Sequence, residues 1–260
     1  MTIENTRSGS ETLELLANRA SVRKYADREV SEDTRNELIR ATASAPTAGA
    51  MMLYSIIDVR DQSVKDRLAV LCDNQPFIAK APLVYVFAAD WRKWLDLFAA
   101  SDCAAIPDVV HRDTVGSGDL LLALQDAIIA AQTMVIAAEA LGLGTCYIGD
   151  IIENQSEVAE LLHLPSATLP ACMLVGGYPH KQPAPTPHAT RGLVMRDHYT
   201  RAPMDVLTSQ IEERETYYPT RWNRAGVTHN VHALYARKFT SAFMAEMNES
   251  AQSWLRYWNE

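Results

Sequence analysis

The 24 residues from Gly118 to Leu141 constrain the fold more than any other stretch of this 260-residue chain. They form the longest helical candidate, and they are apolar nearly all the way round. A helix of that kind has no polar face to give to water, so it must be enclosed by other elements or by a second subunit. The wider apolar run, Leu120 to Leu143, is interrupted by Gln125, Asp126, Gln132, Thr133 and Glu139. Five polar interruptions suit a core helix and not a membrane span. Gly142 and Gly144 end the helix and lead into a strand, Thr145 to Gly149.

The other elements alternate around it. Thr12 to Asn18 reads as a short helix. Ser31 is a candidate N-cap, with Glu32 and Asp33 in the first turn where the helix dipole favours acids, and that helix should run to about Ser44 before Pro46 stops it. Leu53 to Val59 and Pro82 to Ala89 read as strands, the second apolar enough to be buried on both faces. Ser63 to Leu71 reads as a helix between them. Trp91 to Thr114 reads as a connector. Asn154 to Leu162 reads as a helix and Ala171 to Gly177 as a strand. Tyr178 to Pro187 holds four prolines and should be extended and solvent-facing. The chain turns helical again from Ala202. One α/β or α+β domain with a helical C-terminal extension accounts for this order.

Composition narrows the function. With 24 Lys and Arg against 32 Asp and Glu, the chain carries a formal charge of −8. Nucleic acid is a poor partner for such a surface, since phosphate binding needs a positive field. Cys72, Cys103, Cys146 and Cys172 stand too far apart for a C-x-x-C pair and read as free thiols of a reducing compartment. Met1 to Glu11 is polar and has no apolar signal segment, so the expected location is cytoplasmic, away from any membrane. No G-x-G-x-x-G follows a strand, because Gly116-Ser117-Gly118 comes after a polar connector. Neither a P-loop nor a G-x-S-x-G elbow occurs. His229 and His232 are three apart but lack a third ligand signal, so no metal is expected.

One cluster carries chemistry. On an extended chain alternate residues point the same way, which places Arg19, Ser21 and Arg23 on one side of the run after the first helix. Two guanidinium groups and a hydroxyl converging there make an anion site. Taken alone, the pattern is as compatible with a solvated face.

Its context is more specific. Arg19, Ser21, Arg23 and Tyr25 give R-x-S-x-R-x-Y, and an S-A-P-T-A-G loop follows the next helix. Then come Asn74-Gln75, the run Gly142 to Gly149 (G-L-G-T-C-Y-I-G) and Val175 to Pro179 (V-G-G-Y-P). In this order and spacing, over residues 11 to 200, the chain resembles the FMN-dependent nitroreductase family. The stretch Tyr217 to Arg224 is similar to its NADPH-preferring, oxygen-insensitive nitroreductase and flavin reductase branch. The resemblance implies an α+β three-layer sandwich, with a central, mostly antiparallel sheet flanked by helices, in an intertwined homodimer. It implies an FMN-binding domain over 1–200 and a helical extension over 201–260 that packs on the partner subunit.

Site residues follow from the same likeness. Arg19, Ser21 and Arg23 would hold the FMN phosphate and ribityl chain. Pro46, Thr47 and Ala48 match a loop that reaches the flavin from the other subunit. Gln75 matches a side chain on the pyrimidine edge of the ring, although it could instead be a helix cap. Tyr147, Ile148 and Gly149 match backbone lying against the flavin, where small residues permit close approach. Arg221 matches the position that meets the 2′-phosphate of NADPH, and Arg224 could assist.

Four departures stand out. Ala50, Met52, Leu53 and Tyr54 replace more polar positions of the related loop and should leave an apolar wall. Thr186 and His188 stand where the branch places a Lys and an Arg, with Arg191 three residues on. Either Arg191 swings in, or His188 donates, or the phosphate is held less tightly. Asp150 replaces a glycine after the Ile-Gly pair, which puts a carboxylate beside the cofactor.

The implied activity is hydride transfer from NADPH or NADH through FMN to nitroaromatic, quinone or flavin acceptors, with ping-pong kinetics and a small flat aromatic acceptor. No side chain need supply a proton, so no catalytic residue is named. Two other readings keep the fold: ene reduction, dehalogenation or metabolite oxidation, and an FMN store or sensor without turnover.

Overall fold

The computed structural model describes residues 9–185, 192–217, 219 and 223–259. Helix α1 covers Gly9–Asn18 and α2 covers Glu32–Thr42. Ser31 caps α2 as expected, its hydroxyl accepting the N–H of Thr34 at 3.2 Å. The helix ends at Thr42, two residues short of the expected Ser44. Strand β1 (Tyr54–Asp58) is followed by α3 (Gln62–Leu71), capped by Asp61, and by the single turn α4 (Pro76–Ala79). Strand β2 is Leu83–Asp90. The expected connector contains a helix, α5 (Arg92–Ala100), with an amphipathic spacing at Trp94, Leu95 and Phe98. Then come α6 (Ser117–Ala140), β3 (Gly144–Ile148), α7 (Gln155–Leu161) and β4 (Thr168–Gly177). The remainder is α8 (Met204–Tyr217), α9 (Asn230–Leu234), a π-helical turn over Tyr235–Phe239, and α10 (Ala242–Trp258).

The four strands pair antiparallel in the order β1-β2-β4-β3. Every residue of β2 is buried, so the sheet is covered on both faces. Its side chains alternate between two cores. Val84 and Val86 join one with Leu68, Ile78 and Trp254, while Leu83, Tyr85 and Phe87 join the other with Leu38 and Met134. Helix, sheet and helix therefore make three layers, which is the expected α+β sandwich.

Helix α6 is long and apolar enough to cross a membrane by length and composition alone. Its Ala127, Ala130, Ala131, Met134, Val135 and Ala138 pack in the second core, so one face is a core surface. Small alanines let the helix lie close on the sheet. Leu121, Leu122, Ile128 and Ile129 stand exposed on the same helix, Leu121 at 59%.

The chain divides into two compact units, one holding the described residues up to Ala184 and those from Glu249 on, the other Pro185–Asn248. The crossing falls near Ala184, in the proline-rich run, and the end of α10 returns to the first unit. Trp254 donates its indole N–H to Ile152 O at 2.9 Å, Ser250 bonds the same carbonyl at 2.6 Å, and Trp258 is buried in the first core. Two large aromatic rings bury enough apolar surface to explain that return.

Candidate functional site

The run after α1 lies beside the sheet without becoming one of its strands. Val22 donates its N–H to Thr145 O at 2.9 Å, Ala26 to Tyr178 O at 2.8 Å, and Tyr25 bridges to Pro179. These bonds hold the backbone extended. Ala20 and Val22 are accordingly buried, and Ser21 and Arg23 are exposed with Arg19 half-buried. Close approach depends on Gly144, where a Cβ would sit 2.3 Å from Cγ2 of Val22.

Arg19, Ser21 and Arg23 gather over β3. Burial raises the Cys146 thiol, while Arg23, Ser21 and Arg19 act in the opposite direction. Burial likewise raises the carboxyl of Glu139, with Arg19 opposing. Among the described residues neither Arg19 nor Arg23 forms a salt bridge, in a chain with an excess of acids. Two guanidinium groups outside any salt bridge and an exposed serine are the donor set a phosphate ester needs.

Pro46, Thr47 and Ala48 sit in a tight loop between α2 and β1. Gly49, Ala50 and Met52 all have positive φ, at 57°, 58° and 50°. For Ala and Met that conformation is strained. The buried carboxylate of Asp126, on α6, holds the loop. It accepts the Thr47 hydroxyl, the Ala48 N–H at 2.9 Å and the Leu53 N–H at 3.1 Å. Asp126 was visible only as an interruption in an apolar helix, and its role went unread. A lone acid inside an apolar helix was the available signal, and in the structure it is 3% exposed.

The expected apolar wall is smaller than the sequence suggested. Ala50 and Met52 are exposed, but Leu53 and Tyr54 are buried, because β1 begins there and turns both side chains into the cores.

Gln75 occupies the position before α4, yet its side chain makes no cap. Instead Nε2 donates to Cys72 O and to Oδ2 of Asp150, both at 2.8 Å. Tyr147 and Gly149 are exposed and Ile148 is buried, as alternation on β3 requires. A Cβ on Gly149 would meet nothing within 4 Å, so open space lies against that backbone. Asp150 starts the 3₁₀ turn that follows. Burial raises the Tyr147 hydroxyl, with Arg19 opposing, and this ties the arginine run to the same end of β3.

His188, Arg191 and Arg221 lie outside the described residues. Arg224 is exposed in the loop before α9. His229 and His232 lie close, with ring centroids 3.8 Å apart, and no group of three or more potential metal-ligating side chains occurs among the described residues.

A three-layer α+β fold with Arg19, Ser21 and Arg23 on an extended run beside β3 defines a recognisable class. Residues 16–178 match the profile of the Nitroreductase family, and the chain belongs to that family. It is 33% identical over 215 residues to the oxygen-insensitive NADPH nitroreductase of Salmonella typhimurium, covering 82% of this chain and 84% of that one. It is 32% identical over 203 residues to the FMN reductase [NAD(P)H] of Bacillus subtilis, covering 78% and 79%. Among solved structures, the NfrA1 nitroreductase of B. subtilis superposes with a TM-score of 0.75 at 27% identity, covering 92% of this chain and 98% of that one. The chain is an enzyme of the NAD(P)H-dependent flavin oxidoreductase and nitroreductase type.

Proposed function

We propose that the chain binds FMN and reduces nitroaromatics, quinones or free flavin with NADPH or NADH. The observation that carries this reading is the set Arg19, Ser21 and Arg23, turned outward together by the bonds of Val22 and Ala26, with neither arginine in a salt bridge among the described residues. FMN held there would supply the two-electron chemistry linking nicotinamide to acceptor, with the two substrates expected to bind in turn, in ping-pong order. The protein's part is to hold and orient. Arg19 and Arg23 grip the phosphate, Ser21 donates a further hydrogen bond, and His188 or Arg191 completes the phosphate site. Tyr147, Ile148 and Gly149 offer backbone to the ring, with Gln75 at its edge.

Pro46, Thr47 and Ala48 serve the site of a second copy. The exposed residues Leu121, Leu122, Ile128 and Ile129 form a stripe with Gln125 and Gln132, and Tyr147 reaches Gln132 at 3.3 Å. Such an apolar stripe is the surface an obligate homodimer buries. The part of 201–260 that lies outside the larger unit packs on that partner. Arg221 and Arg224 meet the 2′-phosphate of NADPH.

The test is an absorbance spectrum of the purified protein, followed by anaerobic titration with NADPH and NADH. A yellow protein bleached by the nucleotide and restored by a nitroaromatic is expected. Arg23→Ala should weaken FMN binding by about 1.5–3 kcal/mol, roughly ten- to a hundredfold in Kd. A colourless protein that takes up no added FMN overturns the reading.

A further inference from the structure

We propose that Asp150 is a positioning residue that acts through Gln75 to hold the cofactor's reduction potential low. The proposal rests on the FMN reading above. The Gln75 backbone is fixed on both sides, its N–H donating to Ala69 O at 2.8 Å and its carbonyl accepting from Ile78 at 3.1 Å. A side-chain amide has two N–H donors and one acceptor oxygen. Both donors are spent, one on Cys72 O and one on Asp150 Oδ2, each at 2.8 Å. Oε1 accepts no hydrogen bond from any described residue, so it is what Gln75 has left to offer a ligand. An acceptor there gives nothing to the extra negative charge of a reduced ring system, whereas a free N–H would stabilise it.

The charge of Asp150 acts in the same sense. Asp150 forms no salt bridge among the described residues. Glu153, three residues on, is buried. The Cys72 thiol is raised first by burial and then by Asp150 and Glu153, an independent sign that this corner is electronegative. Without a carboxylate at position 150, only Cys72 O would hold the Gln75 amide in this orientation, and one N–H would be released to donate to the cofactor.

The test measures the two-electron midpoint potential of FMN bound to the protein, by reduction against a reference dye. Asp150→Asn keeps size and an acceptor, and Asp150→Ser suits the start of a 3₁₀ turn should Asn disturb it. Each is expected to raise the ratio of reduced to oxidised FMN about tenfold at a fixed potential, equal to about 30 mV for a two-electron couple. The FMN Kd should move less than threefold. Glu160→Gln, which removes an exposed charge on α7, should leave the potential in place. In a Gln75→Met background at least half of the Asp150 shift should vanish, as expected for coupled residues. A potential unmoved by both Asp150 variants, or a shift equally large without Gln75, overturns the proposal while FMN binding stands. A wild-type protein that binds no FMN overturns the functional reading and this inference with it.

Discussion

Ala48 donates its backbone N–H to Oδ1 of Asp126 at 2.9 Å, across 78 positions of sequence. The bond joins a strained loop to the middle of the core helix. The same carboxylate also receives Thr47 and Leu53, so three donors depend on one buried side chain. Asp126→Ala should leave two N–H groups unpaired and lower stability by about 2–4 kcal/mol. Asp126→Asn should fall between, since it keeps one acceptor but turns a donor toward donors. Urea unfolding measures the loss, and FMN titration should show weaker binding if the loop reaches the cofactor. An Ala variant as stable as wild type would contradict the clamp.

Gly144 and Val22 make a second coupled pair. A methyl group at Gly144 would overlap both Cγ2 and Cβ of Val22, at 2.3 Å and 2.8 Å. Because Val22 anchors the run that turns Arg19, Ser21 and Arg23 outward, Gly144→Ala should both destabilise the protein by about 1–3 kcal/mol and weaken FMN binding. Val22→Ala in the same chain should restore part of the stability. Additive losses, measured by thermal unfolding of the four variants, would show that the two residues do not compete for this space.

The role proposed for Arg221 and Arg224 concerns the reductant rather than the cofactor. Only NADPH carries a 2′-phosphate, and charge-assisted bonds to phosphate are strong. Replacing each arginine with Ala should raise the KM for NADPH by about tenfold while leaving that for NADH nearly unchanged. Steady-state kinetics with both nucleotides decides it. An equal effect on both would remove the 2′-phosphate role.

Much of this was legible in the chain itself, for reasons that differ by element. Strand β2 was plain because its burial is complete, and helix α6 because its apolar residues run on from the core face to an exposed face. The outward set Arg19, Ser21 and Arg23 was legible because extended backbone alternates. Helix α5 was missed because polar and small residues flank a short amphipathic stretch. The loop clamp of Asp126 and the contact of Asp150 with Gln75 were hidden for another reason. Each acts on a partner some 75 to 79 residues away, and no local pattern encodes such a contact. The return of Trp254 and Trp258 to the first unit was hidden likewise.

Acid should loosen the start of α6. Asp119 accepts the N–H of Gly116 at 2.8 Å and both terminal nitrogens of Arg112, and the guanidinium holds its carboxyl below the usual carboxylate range. A carboxyl depressed in the folded state stabilises above the unfolded value, near 3.9 for Asp, and loses that contribution as pH falls through the folded one. Asp119→Asn removes the charge and should cost about 1 kcal/mol at pH 7, the ordinary worth of a helix N-terminal cap. The wild type and the variant should begin to converge as pH drops below about 4, where the unfolded carboxyl takes up its proton, and meet only once the depressed folded carboxyl is protonated too. Urea midpoints for both proteins between pH 7 and pH 3 measure this. A difference that stays constant across that range would mean that the bond to Arg112 adds nothing through its charge.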